Sequence, residues 1–399
     1  MTTPGEAGPA GEPGPGPVGP ATIARQWSRI GVLGFGGPPT HIAMLRQLCV
    51  TDRQWLSPTE FEDGIAATNL LPGPASTQLA IFCAWRLGGT VGALVGGLCF
   101  IVPGLVAILA LSALFLGAHP PLWVLGAAAG AGAAVPAVAV HAATGLVPAS
   151  WRRSGTARAA RVRWAAYVAA GAVAAASVGP WLVLVLLVCG AVEIGVRSPG
   201  PPAGSRRGHL MAPLVGTTAA VGGLGALAWV ALKVGALSYG GGFVIVPLMQ
   251  HDAVHTYHWM TASQFLDAVA LGQVTPGPVV QTVAVVGYAA AGIGGGLLAA
   301  AVAFTPSFVF VLVGGPRFDQ LRSSGRVQAF LAGAGPASLG AIAGSAVPLA
   351  LALSDWWQLG VTGAAAFGLF VLRRGVVEVL LAAAAIGVVA ALAGATVPH

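Results

Sequence analysis

From Ile23 to the C-terminus, long apolar stretches alternate with short breaks rich in Gly, Pro and Arg. A bilayer core of roughly 30 Å takes about 20 helical residues. On that measure the stretches divide into helical segments near 22–50, 57–87, 88–117, 120–148, 164–178 and 180–196, then 210–228, 229–252, 261–290, 292–314, 327–352, 355–372 and 376–397. The pattern predicts an all-α integral membrane protein of about 13 transmembrane helices, some of them broken. Segments 164–178 and 180–196 meet at Gly179-Pro180 and form either a tight hairpin or one long bent helix.

Composition agrees. Charged residues make up 8% of the 399 positions and hydrophobic ones 56%, where a soluble domain is about a quarter charged. Residues 1–21 are dominated by Pro and Gly, without the basic start and apolar core of a signal peptide, and read as a disordered tail. The net charge of +7 sits mostly in short loops between apolar segments, which suits membrane orientation and not nucleic-acid binding. Cys49, Cys83, Cys99 and Cys189 lack metal-ligand spacing and read as buried small hydrophobes. No nucleophile triad, phosphate loop or metal motif is present, so neither an enzyme nor a cofactor is expected.

The chain repeats itself. Arg29-Ile30-Gly31-Val32-Leu33-Gly34-Phe35-Gly36-Gly37 returns 204 residues later as Lys233-Val234-Gly235-Ala236-Leu237-Ser238-Tyr239-Gly240-Gly241. At the same offset Trp55 matches Trp259, Phe61 matches Phe265, Asp63 matches Asp267, and Leu71-Pro72-Gly73-Pro74 matches Thr275-Pro276-Gly277-Pro278. The duplication divides the chain into a first repeat, 22–209, and a second, 210–399. Arginines cluster at Arg152, Arg153, Arg158, Arg161 and Arg163, at Arg197, Arg206 and Arg207, at Arg317, Arg322 and Arg326, and at Arg373-Arg374. The positive-inside rule puts all four clusters in the cytoplasm. With a span at 210–228 the two repeats then run in opposite directions, the inverted arrangement that supports alternating access.

Pro lacks an amide donor and pushes its predecessor out of helical geometry, so each Pro-Gly-Pro interrupts its helix. A half-helix beginning at Pro74 or Pro278 offers free amides beside Ser76, Thr77 and Gln78, or beside Gln281 and Thr282, which suits an anion. The alternative is a plain packing kink. Gly36-Gly37 and Gly240-Gly241 permit a second break or close helix packing. Lys233 is the sole lysine and, like Arg29, lies in apolar sequence. Both cations either balance an anionic substrate, reach the interface, or pair with Asp63 or Asp267. Ser57-Pro58-Thr59-Glu60 and Thr261-Ala262-Ser263-Gln264 read as capping boxes, which makes Glu60 structural. Asp63 and Asp267 carry protons or hold the cations. Asn69 and Gln273 match just before the breaks, His41, His251, His255 and His258 read as interfacial groups, and Trp55 and Trp259 as an aromatic belt.

The basic residue followed by Gly, the sequences Phe35-Gly36-Gly37 and Tyr239-Gly240-Gly241, the Trp positions and both Pro-Gly-Pro motifs resemble the chromate ion transporters in their two-domain long form. The resemblance covers about 22–148 and 226–350. It implies a multi-pass protein of the cell membrane that moves chromate out of the cytoplasm and confers resistance to it. Sulfate is the related oxyanion, protons are the coupling ion, and a homodimer is a further expectation. By position it points to Arg29, Lys233, Gly36, Gly37, Gly240, Gly241, Pro72, Gly73, Pro74, Pro276, Gly277 and Pro278, to which the residue chemistry adds Gln78 and Gln281. Copy one departs from the usual third glycine at Pro38, where copy two keeps Gly242. The competing readings are a transporter of sulfate or another oxyanion, and a membrane interaction or sensory protein that transports nothing.

Overall fold

The computed structural model describes residues 18–69, 71–117, 119–177, 182–197, 223–238, 244–315, 320 and 323–397. Copy one comprises α1 (Pro20–Leu33), α2 (Pro38–Arg46, continued by a π turn Gln47–Asp52), α3 (Pro58–Thr68), α4 (Ala75–Phe115), α5 (Leu122–Ser154), α6 (Arg158–Ser177) and α7 (Leu182–Arg197). Copy two comprises α8 (Leu224–Leu237), α9 (Ile245–Gln250, continued by a π turn His251–Thr256), α10 (Ala262–Val274), α11 (Thr282–Gly314), α12 (Gly325–Leu351), α13 (Trp356–Phe370) and α14 (Val376–Leu392). The duplication therefore extends to the elements: α1 and α8, and the two π turns, lie 204 residues apart at both ends.

The starts of the helices follow local chemistry. Ser57 and Thr261 each accept the amide of the residue three on, while the Glu60 and Gln264 side chains take the Ser57 and Thr261 amides in return. Pro38 and Pro39 open α2, where the missing amides cost nothing. Among the described residues four helices are long and apolar enough to cross a membrane: Ala75–Phe115, Leu122–Ser154, Val279–Gly314 and Gly325–Leu351.

Breaks in the long helices fold the chain back. Gly88 and Gly89 leave helical geometry, with φ of −139° and +59°, and beyond them α4 returns along itself, Gly97 beside Ile81 and Gly92 and Gly96 beside Ala84. Ala291 and Gly292 do the same in α11, which sets Gly295 against Gly287. These are the boundaries expected between 57–87 and 88–117, and between 261–290 and 292–314.

Three expected segments take a different form. Segment 57–87 is a hairpin: α3 lies against the first half of α4, Gly64 on Phe82 and Leu79, with Pro72-Gly73-Pro74 at the tip. Segment 261–290 does likewise, Gly272 meeting Thr282 about Pro276-Gly277-Pro278. A kink and a tight reversal break the same hydrogen bonds, so the motif alone does not separate them. Segment 22–50 divides at Gly34–Gly37 into α1 and α2. Of segment 210–228, residues 210–222 lie outside the described residues, and 224–228 begin α8.

The copies interlock. α5 packs on α13 and α14 of copy two, and its counterpart α12 packs on α6 and α7 of copy one. Small residues make these approaches close: Gly126 and Gly130 sit on Gly387, and Gly340 and Gly344 sit on the backbone of Val168 and Ala172. The second halves of α4 and α11 also meet, Gly97 at Phe308 and Gly296 at Leu109, so these counterparts run antiparallel.

Candidate functional site

Each Pro-Gly-Pro tip is held by the other copy. The Gly73 amide donates to Ser238 O at 2.7 Å, and the Gly277 amide donates to Gly34 O at 3.0 Å. Ser238 is the counterpart of Gly34, so the two bonds are one contact made twice about a pseudo-two-fold relation. Both tip glycines have positive φ, +119° and +97°, a region that side chains disfavour. A side chain on Gly73 would also run into Gln78.

Buried polar groups collect where the tips meet. Gln78 Nε2 donates to Pro72 O at 2.6 Å, and Gln281 Nε2 donates to Ile101 O of copy one at 2.8 Å. Copy two has one residue fewer after its motif, which makes Gln281 the partner of Gln78 and Ser307 the partner of Gly104. Gly104 abuts Pro276 and Gln281, so copy two's loop presses on α4 directly. Seven buried side-chain atoms among the described residues lack a hydrogen-bond partner, and six of them are on the tip loops, on α4, α10 and α11 or at the end of α8, next to the tips in the chain or the fold: Thr77 Oγ1, Gln78 Oε1, Ser238 Oγ, Gln273 Nε2, Gln281 Oε1 and Ser307 Oγ. Leaving such atoms unpaired in a protein interior costs about 1–3 kcal/mol each; the three hydroxyls and Gln273 Nε2 can donate, while Gln78 Oε1 and Gln281 Oε1 can only accept.

The two tips differ in access. A cavity of about 550 Å³ opens beside copy one's loop, lined by Thr68, Asn69, Leu71, Gly73 and Ala75, with Leu146, Ala149, Arg152 and Arg153 of α5 facing them. It joins two guanidinium groups to the N-terminus of α4, whose first-turn amides have no partner within the helix. In copy two Gln273 and Val279, at the places of the exposed Asn69 and half-buried Ala75, are buried, while Leu71 and Thr275 are buried alike, and α10 packs along α5. Asp267 is 3% exposed and pressed on Gly132 of α5, while Asp63 is half-buried.

The remaining expected residues divide. Gly36 and Gly37, at φ of +96° and +74°, form the turn between α1 and α2, and Gly37 faces Val279 of copy two. Gly240 and Gly241 lie outside the described residues. Arg29 is exposed on α1. Lys233 Nζ lies 2.5 Å from Asp252 Oδ2, with the Trp229 ring 5.9 Å away. The partner of Lys233 is thus Asp252 and neither Asp63 nor Asp267; copy one has Leu48 at that place.

Sequence reasoning assigned Arg152 and Arg153 only to orientation. Their spacing from Ala149 and Leu146 on one stretch of α5 was the available signal, but nothing local links α5 to the loop. His41, expected at an interface, is wholly buried between Gly34 and Ser76. Its flanking Pro38 and Pro39, which aim α2 back toward the core, were the clue.

The family description "Chromate transporter" matches residues 21–194 and 225–388, one match to each copy. A chromate transport protein of Cupriavidus metallidurans is 33% identical over 336 residues, 81% of this chain and 80% of that one. A probable chromate transport protein of Synechococcus elongatus is 29% identical over 365 residues, 85% and 90% of the two chains. One from Pseudomonas aeruginosa is 29% identical over 367 residues, 84% and 82%. No solved structure matches the chain. With both copies matched across most of their length, the chain belongs to the chromate transporter family and is a multi-pass membrane protein.

Proposed function

We propose that this protein exports chromate, a tetrahedral dianion, through the polar junction of the two Pro-Gly-Pro tips, and that the structure is open to the cytoplasm. The observation that carries the reading is the cavity beside Gly73, which reaches Asn69 and the first residue of α4 and is flanked by Arg152 and Arg153. Oxyanion oxygens only accept hydrogen bonds. Guanidinium groups, the first-turn amides of α4, the Asn69 amide and the Thr77, Ser238 and Ser307 hydroxyls are all donors.

The same packing supports inverted repeats and alternating access. The antiparallel contact of α4 and α11 supports the inversion, and the open tip of copy one beside the buried tip of copy two supports one state of an exchanging pair. In the opposite state copy two's tip opens outward and copy one's closes on α12. The positive-inside rule puts the Arg152-Arg153 end of α5 in the cytoplasm, so the present opening faces the side from which chromate leaves. An interior-negative potential of 100 mV contributes about 2.3 kcal/mol per charge to export, and a dianion gains about twice that.

Charge balance is assigned to Arg152 and Arg153. Lys233 is held by Asp252 and Arg29 faces outward, so both act at a distance from the cavity. Asp267, buried between the copies, is the better placed of the two carboxyls to couple a proton. The test is exchange of labelled chromate by reconstituted protein. Thr77→Val and Ser307→Ala slow it if the junction binds the anion, and unchanged exchange in both overturns this site.

A further inference from the structure

His41 belongs to copy one alone, Ile245 standing at its place in copy two. It is wholly buried, with the edge of its ring near Phe100 at 5.0 Å between centroids. Its two nitrogens join the turn after α1 to the start of α4, both in copy one. Nε2 lies 2.9 Å from Gly34 O, the same oxygen that receives the Gly277 amide of copy two's tip. Nδ1 lies 3.3 Å from Ser76 Oγ. Ser76 is the second residue of α4 and follows Ala75, which lines the open cavity.

These contacts fix the ring's hydrogens. A carbonyl oxygen only accepts, so Nε2 carries a proton; on a neutral ring Nδ1 is then bare and takes the Ser76 hydroxyl hydrogen. When the ring gains a second proton, Nδ1 becomes a donor and Ser76 Oγ the acceptor. The Ser76 hydrogen must turn elsewhere, and the N-terminal end of α4 is where an oxyanion would need it. One proton on His41 thus converts Ser76 from a group spent on the histidine into a free donor.

We propose that His41 couples proton binding to oxyanion binding by reversing the Ser76 hydroxyl. The inference rests on the oxyanion reading of the cavity. By linkage the effect is reciprocal: protonated His41 strengthens anion binding, and bound anion favours protonated His41. The ionisable groups on the elements packed around α2 are Arg25 and Arg29 on α1, Cys83 and Arg86 on α4, and Arg46, Cys49, Asp52 and Arg53 on the chain of α2 itself. The arginines and Asp52 are exposed, and the two cysteines are buried free thiols. The hydrogen bonds of the ring are those to Gly34 and Ser76.

Sulfate binding to the purified full chain in lipid nanodiscs tests this, because sulfate does not titrate where histidine does, between about pH 5 and 8. Chromate displacement of the bound sulfate reports that the same site is read. Wild type should gain roughly tenfold in affinity as pH falls across that range, the worth of one hydrogen bond to a charged group. His41→Gln, which can donate to Gly34 O but holds no titrating proton, should bind with one affinity throughout, and so should Ser76→Ala. A flat wild-type profile, or a pH dependence that survives in both variants, overturns the role of His41 and leaves the transporter reading intact. Absence of sulfate and chromate binding in wild type at every pH removes the oxyanion reading and this inference together.

Discussion

Gly73 and Ser238, 165 residues apart in the chain, are joined by a 2.7 Å hydrogen bond from the Gly73 amide to the Ser238 carbonyl. The bond ties the tip of copy one's hairpin to the end of α8 in copy two, and the Gly277–Gly34 bond returns the tie. Neither copy can complete its own tip. A rearrangement of one hairpin must therefore be felt by the other, which is what an exchange of open and closed sides requires.

Gly73→Ala and Gly277→Ala should both abolish transport. Each forces a side chain into positive φ, at a cost of about 1–2 kcal/mol, and the first also collides with Gln78. Thermal unfolding of purified protein should show a modest loss of stability, while chromate flux falls to background. Full flux in either variant would separate the tips from the transport path.

Arg152 and Arg153 are exposed at the mouth of the cavity, where the proposed function has them gather anions. Arg152→Gln with Arg153→Gln should raise the KM for chromate about tenfold at low ionic strength. The difference should shrink as salt screens the mouth, with a Debye length of about 8 Å at physiological strength. A salt-independent defect would point to a structural role.

The Lys233–Asp252 pair is a matter of stability. Its side chains are 20% and 9% exposed. Breaking a fully buried pair costs about 3–5 kcal/mol; the partial exposure of Lys233 reduces that to roughly 1–3 kcal/mol for Asp252→Asn. Replacing both, as Lys233→Met with Asp252→Leu, should recover most of the loss, as measured by unfolding in lipid nanodiscs. If the double variant is as unstable as the single one, the ammonium has a task beyond Asp252.

The asymmetry of the tips predicts sided chemical access. Asn69→Cys should react with a membrane-impermeant maleimide from the cytoplasmic face, and Gln273→Cys should not. Conditions that favour the opposite state should reverse the pair, with Gln273→Cys labelled from outside. Equal labelling of both from one face would rule out alternating access between these tips.

Much of the architecture was legible because the chain states it twice. The repeat at an offset of 204 located the Pro-Gly-Pro motifs and the caps at Ser57 and Thr261, and the lengths of the apolar stretches located the folds near Gly88 and Gly292. What escaped has physical reasons. A Pro-Gly-Pro reversal and a Pro-Gly-Pro kink break the same bonds, so the hairpins needed the Gly64–Phe82 contact to be seen. Weighing residues by repetition passed over those that occur once: Asp252 opposite Leu48, and His41 opposite Ile245. Arg152 and Arg153 were read for membrane side alone, since only the folded chain brings the end of α5 to Gly73.

The most direct test of the account is accumulation of labelled chromate in inside-out membrane vesicles, with and without an imposed potential, for wild type and for Arg152→Gln with Arg153→Gln. Export through this site predicts accumulation by wild type that grows when the lumen is made positive and falls sharply in the variant at low chromate. No accumulation by wild type under either condition would contradict export through this site.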